Sequence, residues 1–296
     1  MKSADRALII CFSGTGNTWL MASSIAQEFT RRGVPADLLA LEQAPARLAL
    51  SSYTILGLGF PVYAWCFPSN VRRFLKKLPA AEGKRAFVFS TMQDASLGSE
   101  ALAARYLKYK GFDVVAARAF LVVNNENIYF GPADPRDPWT LQMIEAMKAK
   151  APGFVDGILS GRGEIERNSP LHVILSQLAG IGFDLLDGWL ASRNFTVTED
   201  CTSCGVCEKI CPEGNIYGSL TWPRFKNRCL MCERCVNFCP QKALLHPLHR
   251  APYSDTRYRA PGYKPPVLRK PSELVVEGFE ELDEVESVPE LTPEEE

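Results

Sequence analysis

Hydrophobic and polar positions follow two rhythms over the first ~155 residues of the chain. Short apolar runs occupy residues 7–12, 36–41, 53–60, 85–91 and 113–123. Between them, residues 18–32, 68–78, 99–110 and 138–150 carry apolar side chains three and four positions apart. The first rhythm predicts buried strands and the second predicts helices packed by one face. Strands alternating with helices make βαβ units, hence a parallel sheet covered on both sides. Five strands with four or five helices fit an α/β, doubly wound domain of strand order 2-1-3-4-5, spanning residues 1–160.

The rhythm then changes. Residues 161–193 read as a helical insert, and within it residues 169–192 are apolar apart from one stripe. That stripe holds His172, Ser176, Gly180, Asp184, Asp187 and Ala191 at three- and four-residue steps. It predicts a helix buried between domains or at a homodimer contact; the other reading is an anchor on a membrane surface. Two aspartates argue against a span. Residues 194–250 hold eight of the ten cysteines. Residues 251–296 are rich first in proline and then in acid, and are expected to stay unstructured for want of apolar surface to bury.

Charge sharpens this division. The whole chain is near balance, with 33 basic and 34 acidic residues. Residues 272–296, however, contain eleven acids and no base, so residues 1–271 carry 33 basic against 23 acidic residues. The overall balance argues against a nucleic-acid binder. The opening residues run straight into a glycine loop and lack the pattern of a cleaved leader, so a cytoplasmic location is expected.

That loop, Ser13-Gly14-Thr15-Gly16-Asn17-Thr18, lies where the first strand passes into the first helix. Such turns offer free backbone N–H groups and the positive end of a helix dipole to a phosphate. A Walker A loop would end in Gly-Lys-Ser/Thr, and no lysine is present. A dinucleotide loop would carry a third glycine where Trp19 stands. What remains is a hydroxyl-rich loop with no cation of its own, or else a glycine turn that merely joins strand to helix.

These residues resemble the flavodoxin signature Ser/Thr-x-Thr-Gly-Asn-Thr, which implies a flavodoxin-like domain that binds FMN. The resemblance directs attention to loops at the carboxyl edge of the sheet. Pro61, Tyr63 and Trp65 follow the third strand, and the two aromatics are candidates to stack on the flavin or to serve as core or interface residues. Thr91, Gln93 and Asp94 follow the fourth strand as candidate contacts to the flavin edge, although relatives carry a glycine-rich loop there. Asn124, Asn125 and Asn127 follow the fifth. Cys66 beside Trp65 invites a redox role, but a lone cysteine reads first as a packing residue, as does Cys11.

The strongest signal is a repeated run. Cys201, Cys204, Cys207 and Cys211 precede Pro212, and Cys229, Cys232, Cys235 and Cys239 precede Pro240, at an offset of 28 residues. Both runs match C-x2-C-x2-C-x3-C-P, the spacing of bacterial two-cluster ferredoxins. Zinc, the competing metal, closes with four ligands and has no use for three-plus-one spacing used twice. Proline after the fourth cysteine forces that cysteine out of helical space and carries it toward the other cluster. The expected sets are therefore Cys201, Cys204, Cys207 with Cys239, and Cys229, Cys232, Cys235 with Cys211, in a small α+β domain holding two 4Fe–4S clusters.

Taken together, residues 5–248 resemble prokaryotic flavodoxin–ferredoxin fusion proteins, the EFR-type ferredoxin family. The resemblance implies an electron-transfer protein that links FMN, two clusters and a protein redox partner. An FMN-dependent reductase acting on a quinone-like molecule is the alternative, and an iron–sulfur sensor or scaffold a third. No Ser-His-Asp or Cys-His set is evident, so no catalytic residue is assigned. The flavin domain is expected to fold separately from the cysteine segment.

Overall fold

The computed structural model describes residues 5–81, 83–127, 131–166, 169–190, 194–246 and 256–272. Five strands, β1 (Ala7–Cys11), β2 (Ala36–Ala40), β3 (Ile55–Pro61), β4 (Arg85–Met92) and β5 (Asp113–Leu121), form one sheet. Their order is β2-β1-β3-β4-β5 and every pairing is parallel, as the alternation of apolar runs and helices predicts.

Successive side chains on a strand point to opposite faces, and the core divides by that period. Leu8, Ile10, Leu56, Leu58, Ala86 and Val88 pack with α2 (Ser69–Lys77) and α3 (Ser99–Tyr109). Ile9, Cys11, Phe87 and Phe89 pack with α1 (Asn17–Arg31), α4 (Pro138–Lys148) and α5 (Ala151–Ser160). The periodicity over 138–150 continues as this separate fifth helix, with Pro152 in its first turn, where the missing N–H is not needed. Cys11 and Cys66 both lie inside the packed cores.

Helix α6 (Pro170–Leu190), expected to be buried, is covered on one narrow side only. Val173, Ser176 and Gly180 are buried, while Leu171, Ile174, Leu175, Leu178, Ile181 and Leu185 are 39–66% exposed. The cause is close approach. Ser176 Oγ donates to the Trp65 carbonyl at 2.7 Å, and a Cβ on Gly180 would stand 2.7 Å from Cys66 Cβ. Only small side chains fit against that turn, so these six large ones are left outside. No helix among the described residues is long and apolar enough to cross a membrane.

In the cysteine segment the sequence repeat is also a backbone repeat. Helix α7 (Val206–Ile210) recurs as α8 (Arg234–Phe238). Ser203 and Met231 both hold φ near +52°, as does Glu233 where the first run has Gly205 at +75°. Two antiparallel pairs frame the helices: β6 (Thr196–Val197) with β9 (Leu244–Leu245), and β7 (Ile216–Tyr217) with β8 (Arg224–Phe225).

Residues 256–272, expected to be unstructured, are docked as a strap across both parts of the molecule. Tyr258, Ala260 and Tyr263 are buried in the α1-side core. Leu268 N donates to Lys209 O, Leu220 N to Ser272 O, and Ser272 itself to the buried Glu208. Proline content signalled the lack of regular structure here, but two tyrosines supply the burial. The acidic stretch 273–296 lies outside the described residues.

Candidate functional site

The loop between β1 and α1 is wholly buried, with Ser13, Thr15, Asn17 and Thr18 no more than 5% exposed. Gly16 holds φ +118° at the start of α1, a conformation open to glycine. Its neighbours bind one another: Gly16 N donates to Ser13 Oγ, Thr18 Oγ1 meets Thr91 Oγ1 at 2.7 Å, and Asn125 Nδ2 donates to Thr15 Oγ1. Asn17 Nδ2 donates to Val123 O.

Every carbonyl of residues 13–16 has a donor. Ser13 O accepts from Arg234 Nη2 at 2.7 Å and from the Tyr263 hydroxyl at 2.8 Å. Gly14 O accepts from Arg234 Nε, Thr15 O from Ala260 N, and Gly16 O from Leu20 N. The backbone N–H groups differ. Those of Ser13, Gly14, Thr15, Asn17 and Thr18 have no partner among the described residues. Five buried donors left open at a helix start call for an anion, because an unpaired buried N–H is costly.

Arg234 comes from the cysteine segment, between Cys232 and Cys235, so the loop does lie against a cation. The guanidinium is 1% exposed, pairs with Glu42 at 2.6 Å, and also donates to Ile210 O. The approach is close: a Cβ on Gly14 would stand 2.7 Å from Cys232 O and from the Tyr63 hydroxyl. Burial pushes the Tyr63 phenol well above its usual range, and its oxygen has no hydrogen-bond partner among the described residues.

The remaining candidates are placed as follows. Tyr63 and Cys66 exchange backbone hydrogen bonds across a tight turn whose central residues, Ala64 and Trp65, both have positive φ. Trp65 is half exposed beside α6. Pro61 pairs in register with Thr91, and Gln93 and Asp94 lie on the surface just beyond. Of the three asparagines, only Asn125 reaches the loop. Asn124 binds within its own turn, to Glu126 and Gly131, and Asn127 docks on Glu233 and Asn237 of the cysteine segment.

The eight clustered cysteines line two cavities. Cys211 lines the first with Cys229, Cys232 and Cys235. Cys239 lines the second with Cys201, Cys204 and Cys207. Cys211 and Cys239 both adopt the extended backbone required before proline, at ψ 117° and 120°. Their sulfurs accept from Asn215 N and Ala243 N, each at 3.3 Å. Burial pushes the thiols of Cys207 and Cys232 up to about 12, and those of Cys229 and Cys235 well above their usual range. Iron that binds these sulfurs as thiolates must displace their protons.

A model of the flavodoxin domain matches residues 8–113, and models of the 4Fe–4S binding domain match residues 196–217 and 226–243. The chain joins a flavodoxin-like domain to two 4Fe–4S motifs. No curated protein matches it. Among solved structures it is similar to a flavodoxin from the domain Archaea at 16% identity, covering 52% of this chain and 99% of that one, TM-score 0.40. Flavodoxin 2 from Bacillus cereus is 19% identical over 52% and 98% of the two chains, TM-score 0.40. Rubredoxin oxygen:oxidoreductase from Desulfovibrio gigas is 18% identical over 53% of this chain and 36% of its own, TM-score 0.40.

The flavodoxin-like domain implies FMN, and the two 4Fe–4S motifs imply two clusters. The residues present fit both groups: orphaned buried N–H donors suit a phosphate, and two cavities are each lined by four cysteines. Electron transfer is the role these domains share. Sequence reasoning missed Arg234, Glu42, Tyr258 and Tyr263.

Proposed function

We propose that the chain moves electrons between FMN, two 4Fe–4S clusters and a protein redox partner. FMN, when bound, exchanges electrons singly or in pairs, whereas a 4Fe–4S cluster exchanges one at a time, so their union serves to convert between the two kinds of carrier. The backbone N–H groups of Ser13, Gly14, Thr15, Asn17 and Thr18 hold the FMN phosphate. Thr91, Tyr63 and Asn125 close around it. Pro61, Trp65, Gln93 and Asp94 form the rim toward which the flavin extends. One cluster is held by Cys211, Cys229, Cys232 and Cys235, the other by Cys201, Cys204, Cys207 and Cys239.

One observation carries this reading: the loop and the second cysteine run touch. Gly14 lies against the Cys232 carbonyl, and Arg234 donates to two loop carbonyls. Cys232 and Arg234, the residues that meet the loop, both line the cavity of the second run, and neither lines the other. The cluster of the second run is therefore the one nearer the flavin. Anaerobic reconstitution with iron, sulfide and FMN, followed by stopped-flow reduction by a one-electron donor, tests the assignment. Cys211→Ala should remove the cluster of the second run from the EPR spectrum and slow flavin reduction at least ten-fold. Cys239→Ala should remove the other and slow it less. Loss of its own run's cluster in Cys211→Ala would refute the ligand sets, and wild-type flavin reduction in both variants would refute the link between the sites.

A further inference from the structure

The flavodoxin signature ends at Thr18, yet the structure encloses that loop with residues more than 200 positions away. We propose that Arg234 and the strap residues Tyr258, Ala260 and Tyr263 are positioning residues for the FMN phosphate, so that the ferredoxin end of the chain completes the flavin site. The inference rests on the reading of residues 13–18 as that site.

Planarity of the peptide unit carries the argument. In a trans peptide the carbonyl of one residue and the N–H of the next point in opposite directions, and the two cannot turn independently. Ser13 O is fixed by Arg234 Nη2 and the Tyr263 hydroxyl, which fixes the N–H of Gly14 on the other side. Gly14 O is fixed by Arg234 Nε, which fixes the N–H of Thr15. Both N–H groups are buried and without partner among the described residues. Ala260 N holds the next carbonyl, that of Thr15. At the start of α1, the Tyr258 hydroxyl donates to Asn17 Oδ1. The donors thus sit on the carbonyl side of the loop and leave the N–H side open to an acceptor. A loop held this way does not have to order itself when the anion arrives, which is the usual source of affinity from preorganisation.

Such a role acts on the phosphate and on no other part of the ligand, and this separates it from general support of the fold. The test uses the full chain with its clusters reconstituted, carrying Tyr263→Phe or Tyr258→Phe, each of which deletes one hydroxyl and keeps its ring. Quenching of flavin fluorescence gives affinities for FMN and for riboflavin, which lacks the phosphate. Each variant should bind FMN about five-fold more weakly, the scale of one hydrogen bond, with riboflavin binding and iron content unchanged. A wild-type ratio of FMN to riboflavin affinity in both variants would overturn the proposal, as would equal weakening of both ligands. A wild-type chain that takes up no FMN would instead overturn the reading of the loop itself, and the proposal with it.

Discussion

Arg234 shows how much one side chain can join. Its guanidinium meets Glu42, two carbonyls of the phosphate loop and the end of α7, and lies 5.5 Å from the Phe12 ring centroid. Both members of the ion pair are at most 5% exposed, so neither charge has water to fall back on. Removing one partner of such a pair leaves the other buried and uncompensated, at a cost of about 3–5 kcal/mol. Arg234→Met should destabilise the protein by that amount in urea unfolding, and adding Glu42→Gln should recover part of the loss. The contrast with the cysteines explains what was legible at this scale. Ligands and phosphate-loop residues are recognised by type and spacing within a dozen positions. Arg234 and Glu42 are 192 positions apart, and nothing local marks either as half of a buried pair.

Among the elements, those that pack by a simple period were legible and those that do not were missed or turned around. The five strands and α1 to α4 fall within about two residues of their apolar runs, because burial on both faces of a sheet leaves a strong pattern. Helix α6 has an equally clear pattern, but steric fit decides its facing over hydropathy. Ser176 and Gly180 are pressed onto the turn at Tyr63–Cys66, leaving Leu171, Ile174, Leu175, Leu178, Ile181 and Leu185 outward. Gly180→Val should therefore cost about 1–3 kcal/mol by overpacking against Cys66 and Arg72. Leu178→Gln, on the 60% exposed side, should change stability by no more than about 0.5 kcal/mol. Thermal denaturation of the two variants distinguishes a seat made by small residues from one made by large ones. The strap was illegible for a different reason: its anchoring tyrosines are isolated in a stretch without periodicity.

At the scale of the whole molecule, the two cofactor regions share a core. Leu230 and Cys232 belong to the apolar cluster that contains Leu8, Phe12 and Leu58, and Arg73 pairs with Glu213 across the same junction. The strap closes the arrangement, so where the chain is cut should matter sharply. A stop after Ser272 should leave the melting temperature unchanged, since residues 273–296 offer little apolar surface to bury. A stop after Arg257 removes two buried tyrosines and should lower it by about 10 °C, as scanning calorimetry would show. The strap also sets an order in time. The carbonyl of Ser13 waits for the hydroxyl of Tyr263, which leaves the ribosome 250 residues later. At about 5–20 residues per second, that interval is roughly 10–50 s. During it, the turn after β1 lacks the cover that will bury it.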